Sequence, residues 1–345
     1  MIVSKDISFR RLLGFTWYHI IWLVLCAALV AYWYDTGTVQ FEIPWLPVSV
    51  IGTAVAFYVG FKNNQAYDRM WEARKIWGAI VNSSRSWGMM VDGFVSNLER
   101  QDNPVDDAEI RTIKKTLIYR HIAWLYTLRA QLLVPAPWEH INQSFFYRIT
   151  ANKFQKSYGI GLVEDEITQV KLDDLLPDNE HERLLAHKNT ATQIINEQSR
   201  QLARLKEKNL IDDFRHIEME KMLVDFYTQQ GKCERIKKFP FPRQYANMSR
   251  YFIGIFIFML HFSMIPALRD VGNYGNYLSV PITALIGWVY VMMEIVADYS
   301  ENPFQGMAND IPMLSLCRTI EIDMREMLGE TDLPEPIDSK KDILM

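Results

Sequence analysis

One stretch, Ile43 to Arg74 (IPWLPVSVIGTAVAFYVGFKNNQAYDRMWEAR), narrows the possible folds more than any other part of the chain. From Ile43 to Phe61 there is no charged residue. As a helix this run spans about 28 Å, close to one hydrocarbon core. From Lys62 the chain becomes charged and aromatic, with no Gly or Pro before Arg74. The pattern predicts one helix that crosses a bilayer and continues into water.

Within the apolar half, Ser49, Gly52, Thr53, Ala56, Phe57 and Gly60 recur at three- and four-residue intervals and share one face. The stripe is small and partly polar, with a single large aromatic. Two readings are open at this point. Small residues let membrane helices approach closely, which makes the stripe a packing face. Alternatively it lines a water-filled lumen whose narrowest ring is Phe57.

Three more runs are long enough to span: Leu12–Tyr34, Tyr245–Leu268 and Tyr277–Ala297. Arg10 and Arg11 precede the first, which is too long for a signal-peptide core and lacks a small-residue cleavage site. Trp17, Trp33, Trp45, Tyr251 and Tyr277 lie towards the ends of the runs, as interfacial anchors do. Basic residues flank the first run on its N-terminal side, the second after Phe61 and the third before Tyr245. By the positive-inside rule those sides and both termini are cytoplasmic. The expected organisation is two spans in 1–61, a helical cytoplasmic domain over 62–240, two spans in 241–298 and a C-terminal cytoplasmic segment and tail over 299–345.

Composition agrees with a membrane protein whose greasy residues are gathered into a few runs: 49% of residues are hydrophobic. A net charge of −4 gives no nucleic-acid surface, and Cys26, Cys233 and Cys317 form no disulfide or zinc spacing. Thr112–Val134 is nearly apolar enough to span, but Lys114, Lys115, Arg120, His121 and Arg129 would sit in lipid. It reads as a buried core helix of the soluble part. Ile80, Trp87, Met90, Val91, Phe94, Val95 and Leu98 mark one face of another helix. Lys171–Glu182 reads as turns, and His187–Leu210 and Asp212–Gln229 as amphipathic helices. After Gly329 the tail reads as loosely ordered.

No pattern points to an enzyme, a cofactor or a bound metal. Asp212, Asp213, His216, Glu218 and Glu220 are the densest cluster, but a di-metal bundle needs a second such motif and none exists. They read as a solvated helix face. There is no GxxxxGK loop and no GxSxG elbow. Glu294 and Asp298, at the cytoplasmic end of the fourth span, mark either an ion pathway or a buried pair, with Arg74 a possible partner. His19 and His261 read as core or interfacial histidines. Asn309 and Asp310 offer too few oxygens for a hard-cation site and read as a structural turn.

The segment FKNNQAYDRMWEARKIWG, Phe61 to Gly78, resembles the motif that follows the pore helix in bacterial and fungal members of the bestrophin family of ion channels. Its marker residues are Asn63, Asn64, Tyr67, Arg69, Trp71, Glu72 and Arg74. Glu234-Arg235-Ile236 before Pro240 and Pro242, Glu301-Asn302-Pro303-Phe304 and Cys317-Arg318-Thr319-Ile320-Glu321 continue the resemblance, which covers Lys5 to Glu321. It implies an all-α homopentamer in a lipid bilayer, a bacterial inner membrane. Each subunit would bring four spanning helices and a large helical cytoplasmic domain to one axial pore. The implied pore neck is Ser49, Thr53 and Phe57, which selects the lumen reading of the stripe. Ser49 and Thr53 are small and polar where the family carries bulky apolar groups, so Phe57 alone would close the neck by dewetting. A second, cytoplasmic constriction is implied at Thr190 or Ile194.

Animal members hold calcium in an acidic run after Asn-Pro-Phe. Here that run is Gln305 to Asp310 with one carboxylate, at best a vestigial cation loop of Asn309 and Asp310, so calcium gating is not expected. The uncharged neck leaves the sign of the permeating ion open. The net charge, repeated over five subunits, leans towards monovalent cations, with a chloride-type anion channel as the alternative. A reading from another class is a membrane-anchored interaction protein, which would have no use for the stripe. A secondary transporter fits poorly, since the spans carry no repeat or mid-membrane charge.

Overall fold

The computed structural model describes residues 1–6, 9–139, 142, 145–157, 172–269, 271 and 275–345. Among them the secondary structure is helical, with isolated bridges joining Ile343 to Ile2 and to Lys340. The chain separates into two compact units.

The first comprises Ser4–Met70 and Pro240–Asn302. It holds α1 (Phe9–Asp35), the N-terminal half of α2 (Trp45–Phe94), α9 (Arg243–Leu268) and α10 (Gly275–Ser300). These four helices are long and apolar enough to cross a membrane. The second expected span is half of a helix of 50 residues, because nothing in Phe61–Arg74 interrupts it. Helix α1 packs on α9 and α10, which pack on each other. Leu23, Val55, Val59, Phe256, Ile257 and Leu260 form the core. At Gly52, an added Cβ would lie 2.6 Å from the Phe256 ring, so only glycine permits α2 to sit this close to α9.

The second unit comprises Met1–Val3, Trp71–Phe239 and Pro303–Met345. It contains the rest of α2, then α3 (Asp107–Leu133), α4 (Phe145–Ser157), α5 (Leu172–Leu175), α6 (Asp178–Leu185), α7 (Thr190–Glu207), α8 (Asp213–Lys238) and α11 (Met313–Met327). Helix α3 is its centre and packs against α5, α7, α8 and α11. Residues 120–129 of α3 are buried throughout, polar ones included. Here polarity is carried by pairing: the Arg120 guanidinium donates to both Glu180 oxygens (Nε 3.0 Å, Nη2 2.9 Å) and to Gln198 Oε1 at 3.0 Å.

Three local expectations change. The 80–98 face continues only to Val95: α2 ends at Phe94, and Leu98 lies beyond it, half exposed, in a loop tied by Ser96 N to the Leu210 carbonyl. Part of the turn-rich segment is α6, positioned by the Arg120–Glu180 pair rather than by local propensity; residues 158–171 lie outside the described residues. The tail is docked, with Ile343 and Met345 buried, Arg318 donating to the Glu335 carbonyl at 2.8 Å and Ser315 N to that of Met345 at 2.7 Å. Ile343 and Met345, one and three residues after the polar run Asp338–Asp342, were too weak a signal to reveal this.

His121 sits among Trp87, Trp124 and Phe226, with ring centroids 6.4, 5.2 and 4.5 Å away. The Ser84 hydroxyl donates to the Ile80 carbonyl at 2.7 Å, so its 2.9 Å contact with His121 is assigned as Nε2–H donating to Oγ. Burial pushes the His121 pKa down to about 3. The unfolded chain takes up this proton near pH 6.5 and the folded chain only near 3. The stabilising effect is therefore complete above pH 6.5 and declines as pH falls towards 3. Between pH 7 and 5, wild type should lose about 2 kcal/mol relative to His121→Gln, which removes the titrating group. Melting curves of both proteins at the two pH values check this; parallel losses would show that His121 is not responsible.

Candidate functional site

The first half of α2 has two faces with different fates. Gly52, Val55, Val59, Lys62 and Ala66 are buried within the membrane-type unit. The face turned away from α9 and α10 carries Leu46, Val50, Thr53, Phe57 and Phe61, with Phe57 67% exposed. Ser49 is half-buried at the margin of that face. Ser49 Oγ donates to the Leu46 carbonyl at 2.8 Å and Thr53 Oγ1 to that of Ser49 at 2.9 Å. Both hydroxyls are thus satisfied along the helix, and the exposed stripe is uncharged. Gly52, grouped by spacing with the stripe, instead belongs to the packed face.

Past the aromatic ring the helix changes character. Lys62 is 1% exposed, and its ammonium lies against Glu294 Oε1 (2.5 Å), Asp298 Oδ1 (2.7 Å), the Ala246 carbonyl (3.1 Å) and Ser249 Oγ (3.3 Å). Arg250 pairs with Asp298 as well. Glu294 and Asp298 are therefore a buried ionic group centred on Lys62 and Arg250, and Arg74 is not needed as their partner. A separation of 232 residues between Lys62 and Glu294 leaves no pattern that spacing could reveal.

The other motif residues divide between roles. Asn63 Nδ2 donates to the carbonyls of Val59 and Met293, each at 3.0 Å. Asn64 and Tyr67 are exposed, and Arg69 is half-buried. In the second unit Trp71 and Arg74 are exposed, and Glu72 pairs with Arg235, joining two of the segments picked out in the sequence.

Thr190 and Ile194 are interior: 8% and 0% exposed, on the face of α7 that packs into its own unit.

Asn309 and Asp310 are not brought together. Asn309 is exposed; Asp310 is buried, with Oδ2 accepting from Gln305 N (2.7 Å) and Met307 N (3.1 Å). Burial pushes its pKa up to about 7, against the opposing pull of those backbone donors. This carboxylate fastens a loop that turns at Gly306 (φ 73°). Among the described residues no group of three or more His, Cys, Asp or Glu is arranged to hold a metal. The acidic cluster on α8 is occupied locally: Asp212 accepts from Arg215 N at 2.9 Å as the helix cap, Asp213 pairs with Lys206 and Glu218 with Lys221. His19 accepts from Trp22 Nε1 at 3.1 Å, and His261 is buried with Nδ1 2.6 Å from the Ile257 carbonyl.

The sequence profile described as Bacterial/Fungal Bestrophin protein matches residues 11–326. The chain is 26% identical over 335 residues to the voltage-dependent anion channel-forming protein YneE of Escherichia coli strain K12, covering 97% of this chain and 91% of that protein. The protein of the same name from Salmonella typhi is 26% identical over 333 residues, covering 96% and 90%. In fold, a crystal structure of a bacterial bestrophin homologue from Klebsiella pneumoniae superposes with a TM-score of 0.70 at 21% identity, covering 91% of this chain and 98% of that one.

Proposed function

Given that this chain belongs to the bestrophin family, in its bacterial and fungal branch, we propose that it is the subunit of a homopentameric channel that passes chloride-type monovalent anions passively across a bacterial inner membrane. The family is one of ion channels and not of enzymes. The observation that carries the reading is the exposed, uncharged face of α2 bearing Phe57 on a helix otherwise packed against α9. Five such faces around an axis give a neck with an aromatic ring from each subunit, and the helical second unit is the cytoplasmic domain, with both termini inside.

The anion reading replaces the cation lean taken from net charge. Relatives covering nearly the whole chain bear the name of anion channel-forming proteins. The whole-chain charge also says little about any one surface. Glu294 and Asp298 are committed to Lys62 and Arg250. Arg183, Arg200 and Arg204, each about half exposed, converge on the buried Glu197, a local surplus of positive charge that favours anions nearby.

Purified protein in planar bilayers under asymmetric sodium chloride tests this. The reversal potential is expected to move towards the chloride equilibrium potential, and the particle mass to equal five chains. A shift towards the sodium equilibrium potential would return the cation reading, and absence of current would return the anchor. Calcium gating is not part of the proposal, since Asp310 is engaged by backbone donors. Chelating calcium on the cytoplasmic side should leave the current unchanged; a strong dependence would defeat that point.

A further inference from the structure

Lys62 is buried inside the membrane-type unit, and its four acceptors all come from neighbouring helices: Ala246 and Ser249 on α9, Glu294 and Asp298 on α10. An ammonium has three protons to give, so the site is fully subscribed. The adjacent residue repeats the tether, with Asn63 Nδ2 reaching the Met293 carbonyl of α10. Two to three turns earlier the Tyr290 hydroxyl donates to the Gly52 carbonyl at 3.0 Å, while Gly52 abuts the Phe256 ring. Phe57 lies between these two anchor points in sequence. On a helical wheel it is between about 140° and 200° from Gly52, Val55, Val59 and Lys62. The polar anchors and the exposed ring are therefore on opposite sides of one rigid rod.

The rotation of that rod decides where the ring points. At the ~5–6 Å radius of a helical side chain, a 20° turn moves its tip by about 2 Å. Apolar packing is non-directional and tolerates such a turn better than an ion pair does. If Lys62 lost its charge, Glu294 Oε1 would keep Ser249 Oγ at 2.8 Å and the more distant, half-exposed Arg250 Nε at 3.8 Å, and Oε2 already has no hydrogen-bond partner. Arg250 would be left as the cation beside Asp298.

We propose that Lys62 is a positioning residue: its buried cluster with Glu294 and Asp298 fixes the rotation of α2 about its own axis, and so the angle at which Phe57 is presented. The consequence for conduction rests on the channel reading; the consequence for helix rotation does not.

The experiment uses the full chain with the exposed Cys26 changed to Ser and a single reporter, Phe57→Cys or Val59→Cys, labelled with a maleimide. With Lys62 intact, the reporter at the exposed position should react at least about tenfold faster than the one at the buried position, whose native side chain is 0% exposed. Lys62→Met should collapse that ratio. Lys62→Met with Glu294→Gln should leave it collapsed, because the unpaired carboxylate is gone but the tether is not replaced. A ratio unchanged by Lys62→Met, or one restored by the double variant, overturns the proposal, the latter because an unpaired charge and not a missing tether would then be what turns the helix. If Lys62→Met fails to assemble, Glu294→Gln and Asp298→Asn, which each leave Lys62 one carboxylate, carry the same comparison. In a Phe57 background, single-channel conductance is read in parallel and should change with the labelling ratio. A collapsed ratio with unaltered current upholds the anchoring role and removes the channel reading instead.

Discussion

Replacing Phe57 by alanine is expected to raise single-channel conductance or the resting leak by roughly threefold or more, by removing the one bulky apolar group at the neck. Phe57 is 67% exposed, with the small Thr53 one turn before it and Gly60 one turn after. If five copies of this face surround an axis, the benzyl groups exclude water at the level of Phe57, where the small Thr53 cannot take their place; Phe61, on the same face, lies one turn further along. Folding should be nearly indifferent, within about 0.5 kcal/mol, because an exposed side chain contributes little burial. This pairing of outcomes is what gives the measurement its force. A larger current at unchanged melting temperature locates the constriction. An unchanged current, in protein that assembles normally, would mean the stripe faces lipid or a neighbouring subunit, as a membrane anchor would allow.

The largest effect on stability is expected at Arg120. It is 1% exposed and makes three charge-assisted hydrogen bonds, two to Glu180 and one to Gln198, whose own Nε2 donates to the Leu117 carbonyl at 2.7 Å. Arg120→Met removes the cation and strands the Glu180 carboxylate, costing about 3–5 kcal/mol, most of it the penalty of the unpaired charge. Arg120→Lys should recover only part, since an ammonium cannot reproduce the two-pronged contact. The double variant Arg120→Met, Glu180→Gln should be milder than Arg120→Met alone. Denaturant or thermal melts of the detergent-solubilised protein decide it. If all three melt alike, α6 is not held by this pair. Because α6 begins within a segment that reads as turns, its loss should appear first as proteolysis near 172–185.

What the chain announced by itself were features carried by local composition. The spans read as Leu12–Tyr34, Ile43–Phe61, Tyr245–Leu268 and Tyr277–Ala297 correspond to α1, the start of α2, α9 and α10, with ends shifted by at most three residues except that α2 continues past Phe61. An apolar run of that length has few other fates. The interior character of α3 was legible for the complementary reason, since five ionisable groups are too many for lipid and too regularly interspersed with apolar ones for a solvated helix. The Phe57 face was legible as a stripe, and its continuation into the motif from Phe61 pointed to the family.

Tertiary structure alone decided which side of each helix is inward and which distant charges meet. Periodicity defines a face but not its partner, so Gly52, which is buried, was grouped with the exposed Phe57. Lys62 with Glu294, Arg120 with Glu180, and the docking of Ile343 and Met345 join positions far apart in the chain or too weakly apolar to stand out. Hydrophobicity acts residue by residue and is written locally in the sequence. The pairing of a buried charge depends on the three-dimensional position of one specific opposite charge, and only the folded chain brings the two together.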